Sequence, residues 1–203
     1  MAHRIALLVS GASGMLLPRH FLGRLAAHPE VERIEFVVSK GASQVLRHEL
    51  GPERTGAQDL VEAAGLAAGE REKVRIHRDN ELDAPIASGS YRLTGTVVLP
   101  CSSGTLGALA TGSARTLVHR AGSVALKEGW PLVLGFRETP FSLVHVENMR
   151  RLLLAGATIL PPLPAFYIGG EDLGRFLDHY ALRILDRLGI SAVGEPGLRW
   201  GEG

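Results

Sequence analysis

Arg4-Ile5-Ala6-Leu7-Leu8-Val9-Ser10-Gly11-Ala12-Ser13-Gly14 is the stretch whose reading decides the fold. Ile5 to Val9 is an unbroken apolar run, of the length expected for a strand buried on both faces of a parallel sheet with helices above and below. It breaks into Ser10-Gly11-Ala12-Ser13-Gly14, and a helix-length segment follows. A strand, a glycine-rich turn and a helix in that order offer free backbone N–H groups and the positive end of a helix dipole to an anion, usually a phosphate. The two glycines allow close approach and positive φ, and Ser10 and Ser13 add hydroxyls. The spacing G-A-S-G is neither G-x-G-x-x-G nor a Walker loop with its lysine, so the turn alone names no dinucleotide site and no ATPase. It reads as a phosphate site or as a merely tight turn.

Outward from this stretch, apolar strand runs alternate with helical patterns along the chain. A helix through Phe21, Leu22, Leu25 and Ala26, with Pro18 in its first turn, ends near His28-Pro29. Ile34 to Val38 is a second strand, closed by Ser39-Lys40-Gly41 and followed by a helix through Val45, Leu46 and Glu49. Ala57 to Ala67 reads as one short helix and Val74 to His77 as a third strand, with Asp79 to Ser90 irregular. Thr96 to Leu99 is the fourth strand, closed by Pro100-Cys101-Ser102-Ser103-Gly104-Thr105. Helices are expected over about Leu106–Ala110 and Ala114–Lys127, then a strand over Pro131–Phe136 that leaves into Arg137-Glu138. A helix over Val144–Leu154, a short strand over Ala157–Leu160 and a stiff Pro161-Pro162-Leu163-Pro164 follow. Glu171 to Leu188 is an amphipathic helix, with Leu173, Phe176, Leu177, Tyr180, Ile184 and Leu188 at helical spacing. No repeat or domain linker interrupts the pattern. The expectation is a single α/β domain over residues 1–203, with a Rossmann-like open parallel sheet and helices on both faces.

Composition narrows the function. With 203 residues the chain can bury a proper core, and 22 Lys+Arg against 21 Asp+Glu give no support to a nucleic-acid or polybasic membrane partner. No apolar run reaches the roughly 18 residues of a membrane span, so a cytoplasmic location is expected. One cysteine, Cys101, precludes an internal disulfide framework, and the eight histidines contain no H-x-x-x-H pair, so no metal site is expected. Cys101 reads more readily as a small buried apolar group than as a nucleophile, since no paired histidine is evident. Arg183, close beside the apolar face of the last helix, calls for an acidic partner or an anionic ligand.

Ligands of open α/β sheets bind beyond the carboxyl ends of the strands. Hydroxyls, glycines and charge gather at four such ends here: Gly11–Gly14, Ser39, Ser102–Thr105 and Arg137-Glu138. Four polar ends argue for one shared site.

Five blocks then occur in a definite order: Ser-Gly-Ala-Ser-Gly at 10–14, Pro-Cys-Ser-x-x-Thr-Leu at 100–106, Leu-Lys-Glu at 126–128, Pro-Leu-Val-Leu-x-x-Arg-Glu-Thr-Pro at 131–140 and Pro-Ala-Phe-Tyr at 164–167. Together they closely resemble the UbiX family of flavin prenyltransferases, over essentially the whole chain out to Arg199-Trp200. The resemblance implies an enzyme that joins the dimethylallyl group of dimethylallyl monophosphate to N5 and C6 of reduced FMN, making prenylated FMN for a UbiD-type decarboxylase. Such proteins also carry an older label of aromatic acid decarboxylase. It implies FMN contacts from Gly11, Ala12, Ser13, Ser39, Ser102, Ser103, Gly104, Thr105 and Arg137. It further implies a prenyl-phosphate site from Arg120, Lys127, Glu138, Tyr167 and Arg183, with Ser13, Lys127 and Glu138 in catalytic positions. A homo-oligomer, typically a dodecamer, with sites at subunit interfaces is implied as well. The chemistry suits these residues, because departing phosphate is stabilised by cations and by the Tyr167 hydroxyl without a demand for Mg²⁺. Two stretches depart from the family: Gly129-Trp130 where many members carry two arginines, and Met15-Leu16-Leu17-Pro18 after the first loop. The competing readings are an FMN-dependent flavoprotein of the cysteine-decarboxylase type and a carrier that delivers FMN to a partner aromatic acid decarboxylase.

Overall fold

A computed structural model describes residues 2–168, 172–191 and 197–201. In chain order the elements are β1 (His3–Val9), α1 (Leu16–Ala27), β2 (Val31–Val38), α2 (Lys40–Leu50), α3 (Ala57–Ala63), α4 (Ala68–Glu72), β3 (Val74–Arg78), β4 (Gly95–Cys101), α5 (Ser103–Ala110), α6 (Leu117–Glu128), β5 (Leu132–Phe136), α7 (Leu143–Leu154), β6 (Thr158–Ile159) and α8 (Leu173–Leu188). The six strands form one sheet in the order β3-β2-β1-β4-β5-β6, and every neighbouring pair is parallel. The order reverses between β1 and β4, so the crevice at their carboxyl ends is where such a sheet accepts a ligand.

The period-two alternation of strand side chains divides the core. Ile5, Leu7 and Val9 of β1 face one side with Phe21, Leu22 and Leu25 of α1, Leu46 of α2 and Ile184 and Leu188 of α8. Ala6 and Leu8 face the other with Leu106 of α5, Val118, Ala121 and Ala125 of α6 and Leu152 of α7. Burial on both faces is why β1 is apolar throughout rather than alternating; each fully buried Leu or Ile contributes about 1.5–3 kcal/mol. Helices on both faces of one parallel sheet match the expected architecture.

Several boundaries differ from the sequence reading. The single helix expected over Ala57–Ala67 is divided, because Gly65 takes φ 65° and α4 starts afresh at Ala68. Glycine has no Cβ to resist that left-handed geometry, and the turn ends α3. α6 begins at Leu117 rather than near Ala114, since the Thr116 hydroxyl accepts from the His119 N–H and sets the cap there. β2 gains Val31 to Arg33, and α8 is seen from Leu173, with Glu171 outside the described residues. Among the described residues, no helix is long and apolar enough to cross a membrane.

One glycine is needed for approach rather than for φ. A Cβ at Gly11 would lie 2.8 Å from the carbonyl carbon of Gly41, so the first loop rests directly on the start of α2. Backbone cannot rotate away as a side chain can. Gly11→Ala is expected to cost about 1–3 kcal/mol of stability, the usual cost of overpacking. By displacing the loop that the family resemblance assigns to FMN, the same change should weaken flavin binding about ten-fold, a shift of about 1.4 kcal/mol. Urea unfolding and a flavin titration measure the two effects, and parental values in both would show that the contact relaxes freely.

Candidate active site

The site begins with a clamp. The buried Ser10 hydroxyl donates to the Pro100 carbonyl at 2.9 Å and accepts from the Ser102 N–H at 2.8 Å. It ties the carboxyl end of β1 to that of β4, and so is spent on structure rather than on a ligand. Beyond the clamp opens a cavity of about 390 Å³ lined by Gly11, Ala12, Ser13, Ser102, Ser103, Gly104, Arg137 and Glu138. Its volume falls within the roughly 300–1,000 Å³ of small-molecule sites. A Cβ on Gly104 would meet nothing within 4 Å, so backbone there faces open space.

The hydroxyls are held by helix starts. Ser39 caps α2 by accepting from the Ala42 N–H at 3.2 Å, beside the Gly41 backbone that supports Gly11. Ser102 caps α5, accepting from the Thr105 N–H at 3.3 Å and sharing a 3.2 Å hydrogen bond with the Thr105 hydroxyl. Thr105 itself is buried behind the cavity wall rather than part of it. Two helix N-termini, α2 and α5, therefore converge on the loop, each contributing partial positive charge, and Arg137 adds a full one.

One carboxylate, Glu138, lines the cavity, and a second, Glu49, is bonded to the end of its first loop. Glu138 accepts from the Ser103 hydroxyl at 2.8 Å and from the Thr139 N–H at 3.1 Å, bonds that hold its carboxyl below the usual range. Glu49, at the end of α2, accepts from the Gly14 N–H at 3.0 Å and the Met15 N–H at 2.7 Å. Burial pushes its carboxyl up, but the hydrogen bonds from Ser13, Met15 and Gly14 and the charge of Arg137 carry it lower overall. Glu49 was not singled out from the sequence, where it is only one polar residue of a helix. Its one signal is position, three residues after the buried Leu46, at the end of the helix that returns over the first loop.

The remaining predicted residues do not line this cavity. Arg120, in the first turn of α6, donates through Nε to the Ala87 carbonyl at 3.3 Å. α6 starts against Asp79 at the carboxyl end of β3, where the Leu117 N–H donates to the Asp79 carbonyl at 2.7 Å, and runs back to the amino end of β5. Lys127, paired with Glu128 at the far end of α6, therefore sits at the opposite edge of the sheet from the cavity. Tyr167, in the turn Phe166–Ile168, and Arg183, on α8, form a third group. The Tyr167 hydroxyl and His179 Nε2 are 3.0 Å apart, and Arg183 is one helical turn beyond His179. Arg183 is exposed, close beside the apolar face as its spacing suggested. The face runs through Tyr180, Ile184 and Leu188, and residue 183 falls beside it.

Two polar groups lie apart from all of this. Cys101 is fully buried, and burial pushes its thiol far up, which deprives it of nucleophilic thiolate. Buried Glu35 is bonded to His77 at 2.5 Å and accepts from the Tyr91 hydroxyl at 2.6 Å, a closed knot between β2, β3 and the loop before β4. It fastens the edge strand.

A family model described as Flavoprotein matches residues 1–177. The chain is 42% identical over 204 residues to the flavin prenyltransferase UbiX of Pseudomonas aeruginosa, covering 98% of this chain and 94% of that protein. Among solved structures it is similar to AnUbiX in complex with FMN and dimethylallyl pyrophosphate, with a TM-score of 0.81, 33% identity and 95% of each chain covered. It is likewise similar to a dodecameric FMN-dependent UbiX-like decarboxylase from Escherichia coli O157:H7, with a TM-score of 0.82 and 35% identity over 97% of this chain and 98% of that one.

Proposed function

The chain belongs to the UbiX family of flavin prenyltransferases, and we propose that it transfers the dimethylallyl group of dimethylallyl monophosphate to N5 and C6 of reduced FMN, releasing phosphate. The observation that carries this reading is the cavity in which the loop Gly11–Ser13 and the turn Ser102–Gly104 face Arg137 and Glu138. Its donor set suits FMN: backbone N–H groups and helix starts for the phosphate, hydroxyls for the ribityl chain and an arginine for the polar edge of the ring. Reduced FMN supplies the nucleophile; the chain supplies orientation and charge.

Ser39 and the loop 11–13 hold the flavin phosphate, Ser102, Ser103, Gly104 and Arg137 complete the flavin contacts, Thr105 braces Ser102 from behind the cavity wall, and Ser13 orients the reacting edge. Glu138, an ionised carboxylate at the cavity rim, takes up the proton that C6 gives up when the ring closes. Arg120, Lys127, Tyr167 and Arg183 hold the prenyl phosphate and stabilise the charge that develops on it as the allylic C–O bond breaks. In one chain those four are scattered, with Lys127 at the opposite edge of the sheet. A homo-oligomer that packs the α6 and α8 surfaces of neighbouring copies over the cavity supplies the missing cations, in keeping with the dodecameric relative. The exposed Leu143, Val144, Leu154 and Phe166 offer apolar surface for such packing. The product serves a UbiD-type decarboxylase, and the one buried thiol agrees with a cytoplasmic location.

Purified protein is incubated anaerobically with reduced FMN and either dimethylallyl monophosphate or the pyrophosphate, and the released flavin is weighed. Mass gain with the monophosphate and a multimeric mass by light scattering are expected. An unchanged flavin with both donors would leave a carrier or a thiol-oxidising flavoprotein. A monomer of full activity would refute a site shared between subunits.

A further inference from the structure

On α8 a buried histidine meets an exposed tyrosine. His179 is 6% exposed, on a helix whose Leu177, Tyr180 and Leu182 are also buried, whereas Tyr167 is 48% exposed. The two are joined by a 3.0 Å hydrogen bond between the tyrosine oxygen and Nε2. A tyrosine in water needs no protein partner, but a buried imidazole does, and an apolar side chain would fill this core position at lower cost. The remaining contacts all fix the phenol. Its ring is held edge-on to His179 with centroids 5.8 Å apart and edge-on to Trp200 at 5.2 Å. The turn that carries it is tied to the same helix, where Arg175 Nε donates to the Ile168 carbonyl at 2.7 Å. Arg183 stands one turn further along α8, near enough to act electrostatically on the His179 imidazole that holds the Tyr167 oxygen.

We propose that His179 is a positioning residue for prenyl transfer, donating its Nε2–H to the Tyr167 oxygen so that the phenolic O–H is aimed at the prenyl phosphate held by Arg183. This rests on the reading that Tyr167 touches that phosphate. The physical logic is the direction of the chain of donors. If the phenol gave its own proton to His179, only lone pairs would face the anion, and they would repel it. With the proton on Nε2, the phenol accepts from the imidazole and donates to the phosphate, and each bond polarises the next. Burial, Arg183 and Arg199 all disfavour the charged imidazole, with Asp186 opposing them. The neutral ring with its proton on Nε2 is the state that makes this arrangement. A donor aimed in advance stabilises the charge that appears on phosphate as the C–O bond breaks, which raises turnover more than ground-state affinity.

The test is a double-mutant cycle on the full-length assembled enzyme, with dimethylallyl monophosphate and reduced FMN as substrates. His179→Phe keeps the ring volume and removes the donor. It is expected to lower kcat about ten-fold, the worth of one aimed hydrogen bond, while KM for both substrates changes less than about three-fold. His179→Gln, whose amide N–H can replace Nε2–H, should recover most of that loss. In a Tyr167→Phe background, His179→Phe should cost nothing further, because its effect passes through the missing hydroxyl. A loss that persists without the Tyr167 hydroxyl, a loss that Gln does not relieve, or parental kcat in His179→Phe each overturns the proposal. If Tyr167→Phe alone turns over at the parental rate, the underlying assignment of Tyr167 fails instead, and the proposal with it.

Discussion

Glu138→Gln enzyme is expected to bind reduced FMN and dimethylallyl monophosphate and yet turn over roughly 10²- to 10⁴-fold more slowly, the range for loss of a positioned acid–base group. Glutamine keeps the length and planarity of the side chain. Its amide oxygen can still accept from the Thr139 N–H, and the rotatable Ser103 hydroxyl can turn to accept from the amide nitrogen. What disappears is the ability to take a proton. The hydrogen bonds from Ser103 and Thr139 lower the carboxyl pKa, so in the resting protein Glu138 is ionised around neutral pH and ready to act as a base. The sign of the pH effect follows from that depression. Base function is present above the lowered pKa and lost as pH falls through it, so the parental rate should hold into mildly acidic solution. Single-turnover kinetics, followed by absorbance and by the mass of the released flavin, measure both effects. Finished product at the parental rate from Glu138→Gln would make Glu138 a structural residue and leave the proton to phosphate alone.

Ser39→Asp should lose FMN affinity by on the order of 10³-fold with its fold intact. Two unit charges 4 Å apart interact by about 4 kcal/mol at an effective dielectric near 20, and the flavin phosphate carries at least one negative charge. The usual objection, that a charged residue damages the protein, is weak here. Ser39 is the cap of α2, and aspartate caps helices as well as serine while favouring the positive end of the dipole. Ser39→Ala supplies the contrast: it removes the cap, costs about 1 kcal/mol of stability and removes a hydroxyl without adding repulsion. Its FMN affinity should fall only several-fold. Flavin fluorescence titration and thermal melts of the pair separate charge from stability. If Ser39→Asp binds FMN like the parent, the phosphate is not beside the start of α2.

Which parts of this protein could be read directly is clear from particular residues. The runs Ile5–Val9, Ile34–Val38 and Thr96–Leu99 are strands buried on both faces, and uninterrupted apolar sequence is the signature of that environment. Gly11, Ser13, Ser102, Gly104, Arg137 and Glu138 were legible as neighbours around one cavity because each stands at the carboxyl end of a strand, where a parallel sheet exposes its loops together. These are local facts. A strand end, a glycine turn and a helix start are all written within about ten residues, in the periods of the backbone itself.

Other features join residues far apart in the chain, and no window of sequence contains them. Glu49 closes on Gly14 and Met15 across 35 and 34 residues only because β1 and β2 are neighbours and α2 returns over the first loop. Ser10 reads as a ligand hydroxyl until the pairing of β1 with β4 brings Pro100 and Ser102 onto it. Lys127 reads as a neighbour of Glu138 in the motif order, yet the direction of α6 carries it to the other edge of the sheet. His179 reads as one polar position of an amphipathic helix until the turn at Phe166–Ile168 lays the Tyr167 hydroxyl upon it. The sequence by itself determined the elements, the two-faced core and the edge at which a ligand binds, because backbone periodicity and apolar burial act over short distances. Only the tertiary structure decided which hydroxyls are spent on clamps, which carboxylate lines the cavity and which cations stand away from it, because those depend on the strand order and helix directions that close the long loops between them.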